Sequence, residues 1–354
     1  MKADSQINVL VVGGGPAGSA AARAAAGQGA SVLLVERKSS IGTPVQCAEY
    51  VPALLLGKLD VGRSFTVQAV KGMKTYLPDA PAKITRAPGY IIHRDRFDKA
   101  LARKAQDAGA EIMTATRALG IDASGSVKLK RRDGRAFSLK PKIIIGADGP
   151  HTMVGRWVDA VNRHMLPAVQ MTLPLTEPLD HTEVYFSPEI YAGYGWLFPK
   201  GKVANVGLGM KRSGDSQERI VRTLQCFIER LKKKGKITGT PVARTAGWIP
   251  AEPVRRAVYG NIALAGDAAG HTHAITGAGI FAAVVCGQMA GKWAGRAVLD
   301  DDLNLLQYYD HEWKDLMALT LVRAYERRQK MEAEWNDFNA TVQNCWVAYR
   351  HYYA

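Results

Sequence analysis

The stretch INVLVVGGGPAGSAAARAAAGQGASVLLVERK, residues 7–38, decides the fold class of this chain. An apolar run at residues 7–12 precedes a glycine-rich turn and an alanine-rich segment, and a second apolar run at residues 31–35 ends at Glu36. This order predicts a buried strand, a tight turn, a helix and a second strand. We therefore expect an α/β fold with a Rossmann-like nucleotide-binding domain.

The glycines of the turn have the spacing of a dinucleotide-binding loop. Gly13 permits the tight turn, Gly15 lets a pyrophosphate approach the backbone, and Gly18 allows the helix to pack closely on the strand. Glu36 follows Gly15 by 21 residues, where a carboxylate can accept hydrogen bonds from the ribose hydroxyls of an adenosine. Because the whole strand–turn–helix–strand context is present, we predict dinucleotide binding, although the loop by itself fits NAD as well as FAD.

Two aspartates further along the chain, each beside small residues, directly follow predicted strands. PKIIIGADGPHTMVGRWV, residues 141–158, predicts a buried strand that ends before Asp148, and YGNIALAGDAAG, residues 259–270, predicts another that ends at Asp267. Ligands of open α/β sheets lie at such strand ends. We expect Asp267 to bind a sugar-alcohol chain and the glycines of residues 277–280 to face the ring end of a cofactor. The alternative for either aspartate is a helix cap.

Size, charge and cysteine content narrow the classes of protein. The chain has 354 residues, enough for two domains, and its 47 Lys and Arg against 32 Asp and Glu give a net charge of +15. A basic balance fits nucleic acid, anionic lipid or an acidic carrier protein, but no zinc-finger or RNA-binding signature supports nucleic acid. Four scattered cysteines without a CxxC pair indicate neither a disulfide framework nor a metal site. With no secretory signal and no spanning apolar run, we expect a cytoplasmic protein.

The three glycine-rich signatures together resemble those of FAD enzymes with the p-hydroxybenzoate-hydroxylase-like fold. Within that superfamily, three stretches are similar to the geranylgeranyl reductases: IGTPVQCAEYV at residues 41–51, HRDRFDKAL at 93–101 and GYGWLFPKGKVANVGLG at 193–209. The resemblance covers about residues 7–300. It implies an FAD-dependent oxidoreductase of lipid biosynthesis that saturates carbon–carbon double bonds of isoprenoid chains, including those of archaeal-type lipids.

The resemblance also implies which residues contact FAD. Ala17 and Glu36 correspond to contacts with the adenosine half, the backbone at Ala118 faces the adenine, and Asp267 corresponds to a ribityl contact. Arg94 corresponds to an arginine near the cofactor, with a surface charge at a helix start as the alternative. The predicted cofactor-binding residues are Gly13, Gly15, Pro16, Ala17, Gly18, Glu36, Arg37, Cys47, Ala48, Arg94, Ala118, Asp148, Gly149, Gly266, Asp267, Gly277, Gly279 and Ile280.

Saturation of an alkene needs a proton as well as a hydride, and the candidate donors are Cys47, Tyr50, His271 and His273. Cys47 matches a cysteine that the family keeps near the flavin, although cysteine is commonly only a small buried hydrophobe. A histidine in a glycine loop is more often structural. The family usually has glycine where this chain has Ala48 and Tyr50, so the flavin contacts and the shape of the substrate site can differ here.

Tyr194, Trp196 and Phe198 lie in the substrate-domain motif of the family. Because strand side chains alternate, the three share one face. Such a face can line an apolar tunnel for a prenyl chain, and the alternative is an ordinary aromatic sheet core.

The motif order predicts a discontinuous FAD-binding domain, an inserted antiparallel substrate-binding sheet and C-terminal helices. The C-terminal segment lacks glycine and proline from residue 303 onward, and its apolar periodicity predicts two helices that break near residues 336–339. It is either a helical cover of the substrate domain or a lid that contacts lipid. The predicted bounds are residues 1–65, 90–155 and 255–300 for the FAD-binding domain, 66–89 and 156–254 for the substrate domain, and 301–354 for the helices.

Several questions stay open at the level of sequence. The reductant is NAD(P)H that binds transiently or an acidic ferredoxin, which the basic charge favours. The substrate is an isoprenoid lipid or a prenylated small molecule, and the chain can lie at an anionic membrane surface. The rival function is an FAD-dependent monooxygenase acting on an apolar or aromatic substrate. The third candidate function is a non-enzymatic flavoprotein that only relays electrons.

Overall fold

The computed structural model describes residues 7–57, 59–212 and 216–354. Its α/β architecture confirms the expected fold class: a mainly parallel sheet, a large mainly antiparallel sheet, a small hairpin sheet and C-terminal helices. In chain order the strands are β1 Val9–Val12, β2 Val32–Val35, β3 Tyr50–Pro52, β4 Thr66–Tyr76, β5 Lys83–Ile92, β6 Glu111–Met113, β7 Thr116–Ile121, β8 Val127–Arg131, β9 Ala136–Leu139, β10 Ile143–Gly146, β11 Met165–Pro174, β12 His181–Tyr185, β13 Tyr194–Lys200, β14 Val203–Gly209, β15 Ala243–Pro250, β16 Val258–Tyr259 and β17 Ile262–Leu264.

The helices cover both main sheets and form the end of the chain. They are α1 Pro16–Gly27, α2 Ala53–Gly57, α3 Arg94–Asp107, α4 Met153–Trp157, α5 Ser216–Lys233, α6 Ile280–Leu299, α7 Gln307–Ala333 and α8 Phe338–Cys345. Short 3₁₀ turns at Gly266–Ala269, Leu303–Leu306 and Arg350–Tyr353 connect or end these helices.

The first sheet has the order β16-β17-β10-β1-β2-β6, and its strands are parallel apart from β16. Every residue of β1, β2 and β10 is buried, as continuous apolar runs in a sheet covered on both faces require. The buried strand predicted before Asp148 is β10, and the strand predicted before Asp267 is β17. Their carboxyl ends meet at one edge of the sheet, which brings the three glycine-rich signatures together.

Two helices pack tightly on this sheet. A Cβ on Gly287 or Gly291 of α6 would lie 2.2 Å and 2.1 Å from the main-chain oxygens of Ala17 and Ala21 in α1. Small residues on both helices therefore let the two backbones touch. This close packing fixes the start of α1, where the first glycine loop ends.

The large sheet has the order β15-β11-β14-β13-β12-β4-β5-β3. One face packs on α5 through a core that includes Leu197, Val206 and Phe227. The opposite face carries Tyr194, Trp196 and Phe198, and it turns toward the first sheet and the C-terminal helices. The division into domains stays a prediction, and β3, which lies inside the predicted range 1–65, pairs with the large sheet.

The C-terminal helices contact both sheets. Near the start of α7, Tyr309 donates its hydroxyl to the main-chain oxygen of Leu264, 2.7 Å away, and Trp313 is buried in the core of the first sheet. Further along, Trp346 is buried against Val184 and Phe186 of the large sheet. The two predicted helices are present, and the break between them lies at residues 334–337. The segment is a bridge across the two sheets rather than a cover of the substrate sheet alone.

Candidate functional site

The first glycine loop has the shape of a phosphate cradle. Gly13 has φ +107°, and a Cβ there would lie 2.3 Å from the oxygen of Ala147, so only glycine fits. A Cβ on Gly15, in contrast, would meet no atom within 4 Å, so the backbone faces open space at the start of α1. Pro16 begins that helix, whose free N–H groups favour an anion. The loop therefore has room and donors for a pyrophosphate.

Glu36 stands at the end of β2 beside this loop. Its carboxylate accepts hydrogen bonds from the N–H of Gly14 at 2.7 Å and of Lys38 at 2.8 Å. The main-chain oxygen of Glu36 accepts from Thr116 N–H at 2.9 Å, which sets the start of β7 next to the same place. Ala118, two residues further along β7, is buried. The predicted adenosine contacts therefore lie close together.

The two predicted aspartates have different surroundings. The Asp148 carboxylate accepts hydrogen bonds from Thr152 Oγ at 2.6 Å, from Met153 N–H at 2.5 Å and from Val154 N–H at 3.2 Å. These bonds satisfy the first N–H groups of α4 and hold Thr152, which is the N-cap residue of that helix, so the Asp148 carboxylate is engaged within the protein. Gly149 follows with φ +85° and open space where a Cβ would stand.

Asp267 keeps acceptor capacity. Its carboxylate accepts Thr272 Oγ at 2.8 Å, and no other donor among the described residues reaches it. A Cβ on Gly279 would lie 3.2 Å from that carboxylate, so the third signature is folded around it. Burial raises the pKa of Asp267, and the Thr272 bond and the charge of Arg94 oppose that rise. A nearly dry carboxylate with one free oxygen suits a ligand that donates hydroxyl hydrogens.

Arg94 brings the second stretch of resemblance to the same place. It begins α3, and its Nε donates to the Asp98 carboxylate at 2.6 Å. The guanidinium also lies within reach of the Cys47 sulfur. Burial alone would lower the pKa of Arg94, but the attraction of Asp98 and Cys47 raises it, so the side chain stays charged. The surface-charge alternative does not describe a guanidinium in this environment.

Cys47 lies on a loop fastened to the large sheet. Its sulfur accepts a hydrogen bond from Glu49 N–H at 3.2 Å, and its main-chain oxygen accepts Gln170 Nε2 at 3.2 Å. Gln170 also accepts Trp196 Nε1 at 3.0 Å. The aromatic strand and the Cys47 loop are therefore linked through a single buried amide.

The aromatic face of β13 adjoins the last glycine signature. The Tyr194 hydroxyl donates to the main-chain oxygen of Thr276, 2.5 Å away. Gly277 follows with φ +66°, and a Cβ there would lie 3.2 Å from Ile249. Phe198, at the other end of the face, contacts the Tyr50 ring edge-on at 6.3 Å between centroids. The structure brings together all three aromatic residues, the Cys47 loop and the 277–280 segment.

Tyr50 fills the space that glycine would leave. Its ring covers Gly89, where a Cβ would lie 2.4 Å from the ring, and its hydroxyl donates to the main-chain oxygen of Ala87 at 3.2 Å. Burial raises the pKa of the Tyr50 hydroxyl. Both the ring and the proton are therefore engaged within the protein.

The two candidate histidines point to different places. His271 packs on Trp313 at 4.4 Å between ring centroids, and its two ring nitrogens have no partner among the described residues. The structure does not bring it to the other candidates. His273 Nδ1 accepts Thr276 N–H at 3.2 Å, so its neutral form carries hydrogen on Nε2, 3.0 Å from the Tyr352 hydroxyl. Burial lowers the pKa of His271 to about 3 and that of His273 to about 4.

The donor set of the nucleotide side fits FAD. A pyrophosphate would lie in the open cradle at Gly15, and a ribose would lie at Glu36, at the end of β2. The free oxygen of Asp267 would accept from a sugar-alcohol chain. Residues that the sequence analysis missed complete the surroundings. They are Glu49, Lys200, Asn205, Gln170, Thr272, Arg328 and Tyr352, most of which are joined to the site only by contacts distant in sequence.

Comparisons with known proteins agree with this arrangement. The FAD binding domain family matches residues 6–285. The digeranylgeranylglycerophospholipid reductase of Methanocaldococcus jannaschii is 33% identical over 347 residues, which cover 93% of this chain and 88% of the relative. The crystal structure of a geranylgeranyl bacteriochlorophyll reductase-like protein from Thermoplasma acidophilum superposes with a TM-score of 0.87 at 30% identity, over 97% of this chain and 91% of that one.

A flavin-dependent brominase superposes with a TM-score of 0.73 at 17% identity, over 96% of this chain and 90% of its own. This likeness shows the fold alone. The reductases, in contrast, match in sequence over most of both chains, which confirms the resemblance drawn from the motifs. This protein therefore carries an FAD-binding domain and belongs to the geranylgeranyl reductase family.

Proposed function

We propose that this protein is an FAD-dependent oxidoreductase that saturates carbon–carbon double bonds of a geranylgeranyl chain. One observation carries the proposal: the aromatic face of Tyr194, Trp196 and Phe198 lies against both the Cys47 loop and the 277–280 segment. An apolar surface therefore adjoins the residues that match the flavin contacts of the family. The names of the reductase relatives favour the same chemistry over oxygen activation.

The residues of the nucleotide side bind and orient the cofactor. The first glycine loop receives the pyrophosphate, Glu36 the adenosine ribose and Asp267 the ribityl chain. When bound and reduced, FAD supplies a hydride from its N5 atom. Gly277, Ala278 and Gly279 have little or no side chain and leave room for the ring and an incoming alkene.

The large sheet receives the isoprenoid chain. Trp196 is held by Gln170 and Tyr194 by the Thr276 oxygen, so neither aromatic ring has to reorganise when an apolar chain enters. An aromatic wall of this kind gives area without specific polar contacts, which suits a repetitive hydrocarbon. The substrate is an isoprenoid lipid or a prenylated small molecule.

Among the candidate proton donors, Cys47 is the best placed. The Tyr50 proton is used on the Ala87 oxygen, and His273 is hydrogen bonded on both ring nitrogens. The Cys47 sulfur accepts one hydrogen bond from Glu49 N–H, which leaves its own hydrogen available. Cys47 is half-buried, so a proton that it gives to the substrate can be replaced from solvent.

The net positive charge of the chain bears on two partners, the electron donor and the membrane surface. The net charge of +15 suits an acidic ferredoxin as electron donor, and NAD(P)H, which is also anionic, is the alternative. The same charge favours peripheral contact with an anionic membrane. No helix in the described part of the chain is long and apolar enough to cross a bilayer.

Anaerobic photoreduction of the flavoprotein tests the proposal. The reduced protein is mixed in one arm with air-free geranylgeranyl lipid and in the other with the same lipid and oxygen, while flavin absorbance is followed. Lipid-dependent reoxidation without oxygen, with a gain of two hydrogens per saturated bond in the mass spectrum, is the expected result. Hydroxylated product formed only with oxygen would overturn the reductase in favour of the monooxygenase. If no alkene is saturated and no product is hydroxylated under either condition, the remaining function is a flavoprotein that only relays electrons.

A further inference from the structure

We propose that Glu49 is a positioning residue that clamps the Cys47 loop to the large sheet and to the start of α3. This inference rests on the proposed function, because it assigns a role to a residue beside the reacting centre. Glu49 is 3% exposed, and although it lies in the 41–51 stretch, its position there does not predict the partners of its carboxylate.

The backbone of Glu49 is strained. Its φ of +70° lies in the left-handed region, where a residue with a long side chain is uncommon and costs about 1 kcal/mol or more. Such a conformation persists only when its surroundings hold it in place. The contacts of the side chain supply that constraint.

The Glu49 carboxylate is bound from three separate elements. Arg94 N–H at the start of α3 donates to Oε1 at 3.0 Å. Lys200 Nζ on β13 and Asn205 Nδ2 on β14 donate to Oε2 at 2.5 Å and 2.9 Å. Asn205 Nδ2 also reaches the main-chain oxygen of Ala48 at 3.3 Å. One carboxylate therefore joins the nucleotide side of the site to two strands of the substrate side.

The same residue sets the position of the Cys47 sulfur. Glu49 N–H donates to Cys47 Sγ, so the turn at φ +70° determines where the thiol points. Arg94, whose N–H binds the Glu49 carboxylate, also carries the guanidinium beside that sulfur. Loss of the carboxylate would release the thiol and the guanidinium together. Tyr50, which directly follows Glu49, would lose the same anchor.

The chain offers a matched control in the same sheet. Glu183 is also buried, and its carboxylate is bound by Lys236 Nζ at 2.8 Å and by the hydroxyls of Tyr76 and Tyr185. These contacts lie on the face of the large sheet that packs on α5, which is the opposite face from the Cys47 loop. Glu183→Gln thus removes an equally buried charge without touching the candidate site.

The experiment compares Glu49→Gln with Glu183→Gln in full-length holoprotein. All variants carry Cys226→Ser, because Cys226 is the exposed cysteine and Cys286 and Cys345 are buried. The first readout is the rate of iodoacetamide labelling of Cys47, with and without FAD, identified by peptide mass spectrometry. It needs neither isoprenoid nor turnover. The second is the rate at which a geranylgeranyl lipid reoxidises the photoreduced flavin.

We expect Glu49→Gln to label Cys47 about tenfold faster, because the loop opens more often. Reoxidation should slow by about 10- to 100-fold, the usual effect of a misplacement near 1 Å. Lys200→Met should act similarly, and the double variant should add little to either single change. Glu183→Gln should change both rates by less than about twofold, whatever its effect on stability.

Unchanged labelling and reoxidation in Glu49→Gln, or equal changes in the two glutamine variants, would overturn the positioning role. If wild-type protein saturates no isoprenoid, the proposed function fails, whereas the labelling comparison still decides whether Glu49 holds Cys47.

Discussion

Arg328 in α7 donates its Nε hydrogen to the main-chain oxygen of Ala274, 3.0 Å away. The same guanidinium donates to the main-chain oxygen of Ala192, which precedes β13. Arg328 is 3% exposed, so a buried charge joins the C-terminal helix to both sides of the candidate site. The last glycine signature is therefore held by a residue more than fifty positions further along the chain.

Arg328→Met should loosen that signature. Two buried carbonyl groups would lose a charged donor, which should lower the free energy of unfolding by about 2–4 kcal/mol. FAD should be retained less well, because the 274–280 segment would no longer be fixed. Urea denaturation and gel filtration with flavin absorbance measure the two effects. Arg323→Met is the control: Arg323 lies over the Tyr353 ring at 5.9 Å, and its loss should cost about 1 kcal/mol or less.

Alanine variants of Asp267 and Asp148 should differ in effect, the first on FAD affinity and the second on the stability of the fold. Asp267→Ala removes the carboxylate with a free oxygen, and FAD affinity should fall by about 10- to 100-fold, the value of a hydrogen bond to a charged group. Asp148→Ala removes the acceptor of the first two N–H groups of α4, while the Thr152 cap remains, and should instead lower the free energy of unfolding by about 1–3 kcal/mol. Fluorescence titration of the apoprotein with FAD and urea denaturation distinguish them. Equal loss of affinity in both variants would contradict this separation.

The sequence predicts the nucleotide side of the site well because its signals are local. The strand, turn and helix of residues 7–38 follow from hydrophobic runs and glycines that are adjacent along the chain, and β10 and β17 show the same pattern. Glu49 lies 151 positions before Lys200 and 156 before Asn205, so no spacing along the sequence predicts these contacts. The contacts of Asp148 with the start of α4 also needed coordinates, since an aspartate that supports a helix start and one that contacts a ligand share the same short motif.

His271 should behave as a structural residue with a marked pH dependence. Its pKa is lowered to about 3 by burial, below the usual value near 6.5, so the unfolded chain binds the proton first as pH falls. The stability that the neutral ring contributes is complete above pH 6.5 and is lost progressively toward pH 3. His271→Leu removes two unpaired nitrogens and should leave the free energy of unfolding at pH 7 within about 1 kcal/mol.

Urea denaturation of His271→Leu between pH 4 and 7 should therefore show a smaller decline than wild type. His273, whose pKa is also lowered by burial, contributes to the decline that remains. A His271→Leu protein that keeps its stability and FAD but reduces isoprenoid more than about tenfold slower would show instead that His271 supports the proton transfer.

Tyr50 should set the width of the substrate site, because its ring lies between Gly89 and Phe198. Tyr50→Ala should cost about 3–5 kcal/mol of stability as a large-to-small change. It should also raise kcat/KM for a geranylgeranyl chain relative to a shorter farnesyl chain, since the added room accepts a longer or more bent hydrocarbon. Tyr50→Phe loses only the bond to Ala87 and should keep the wild-type ratio at a cost of about 1 kcal/mol. A ratio that stays constant in both variants would place the chain away from Tyr50, along the Tyr194 end of the aromatic face.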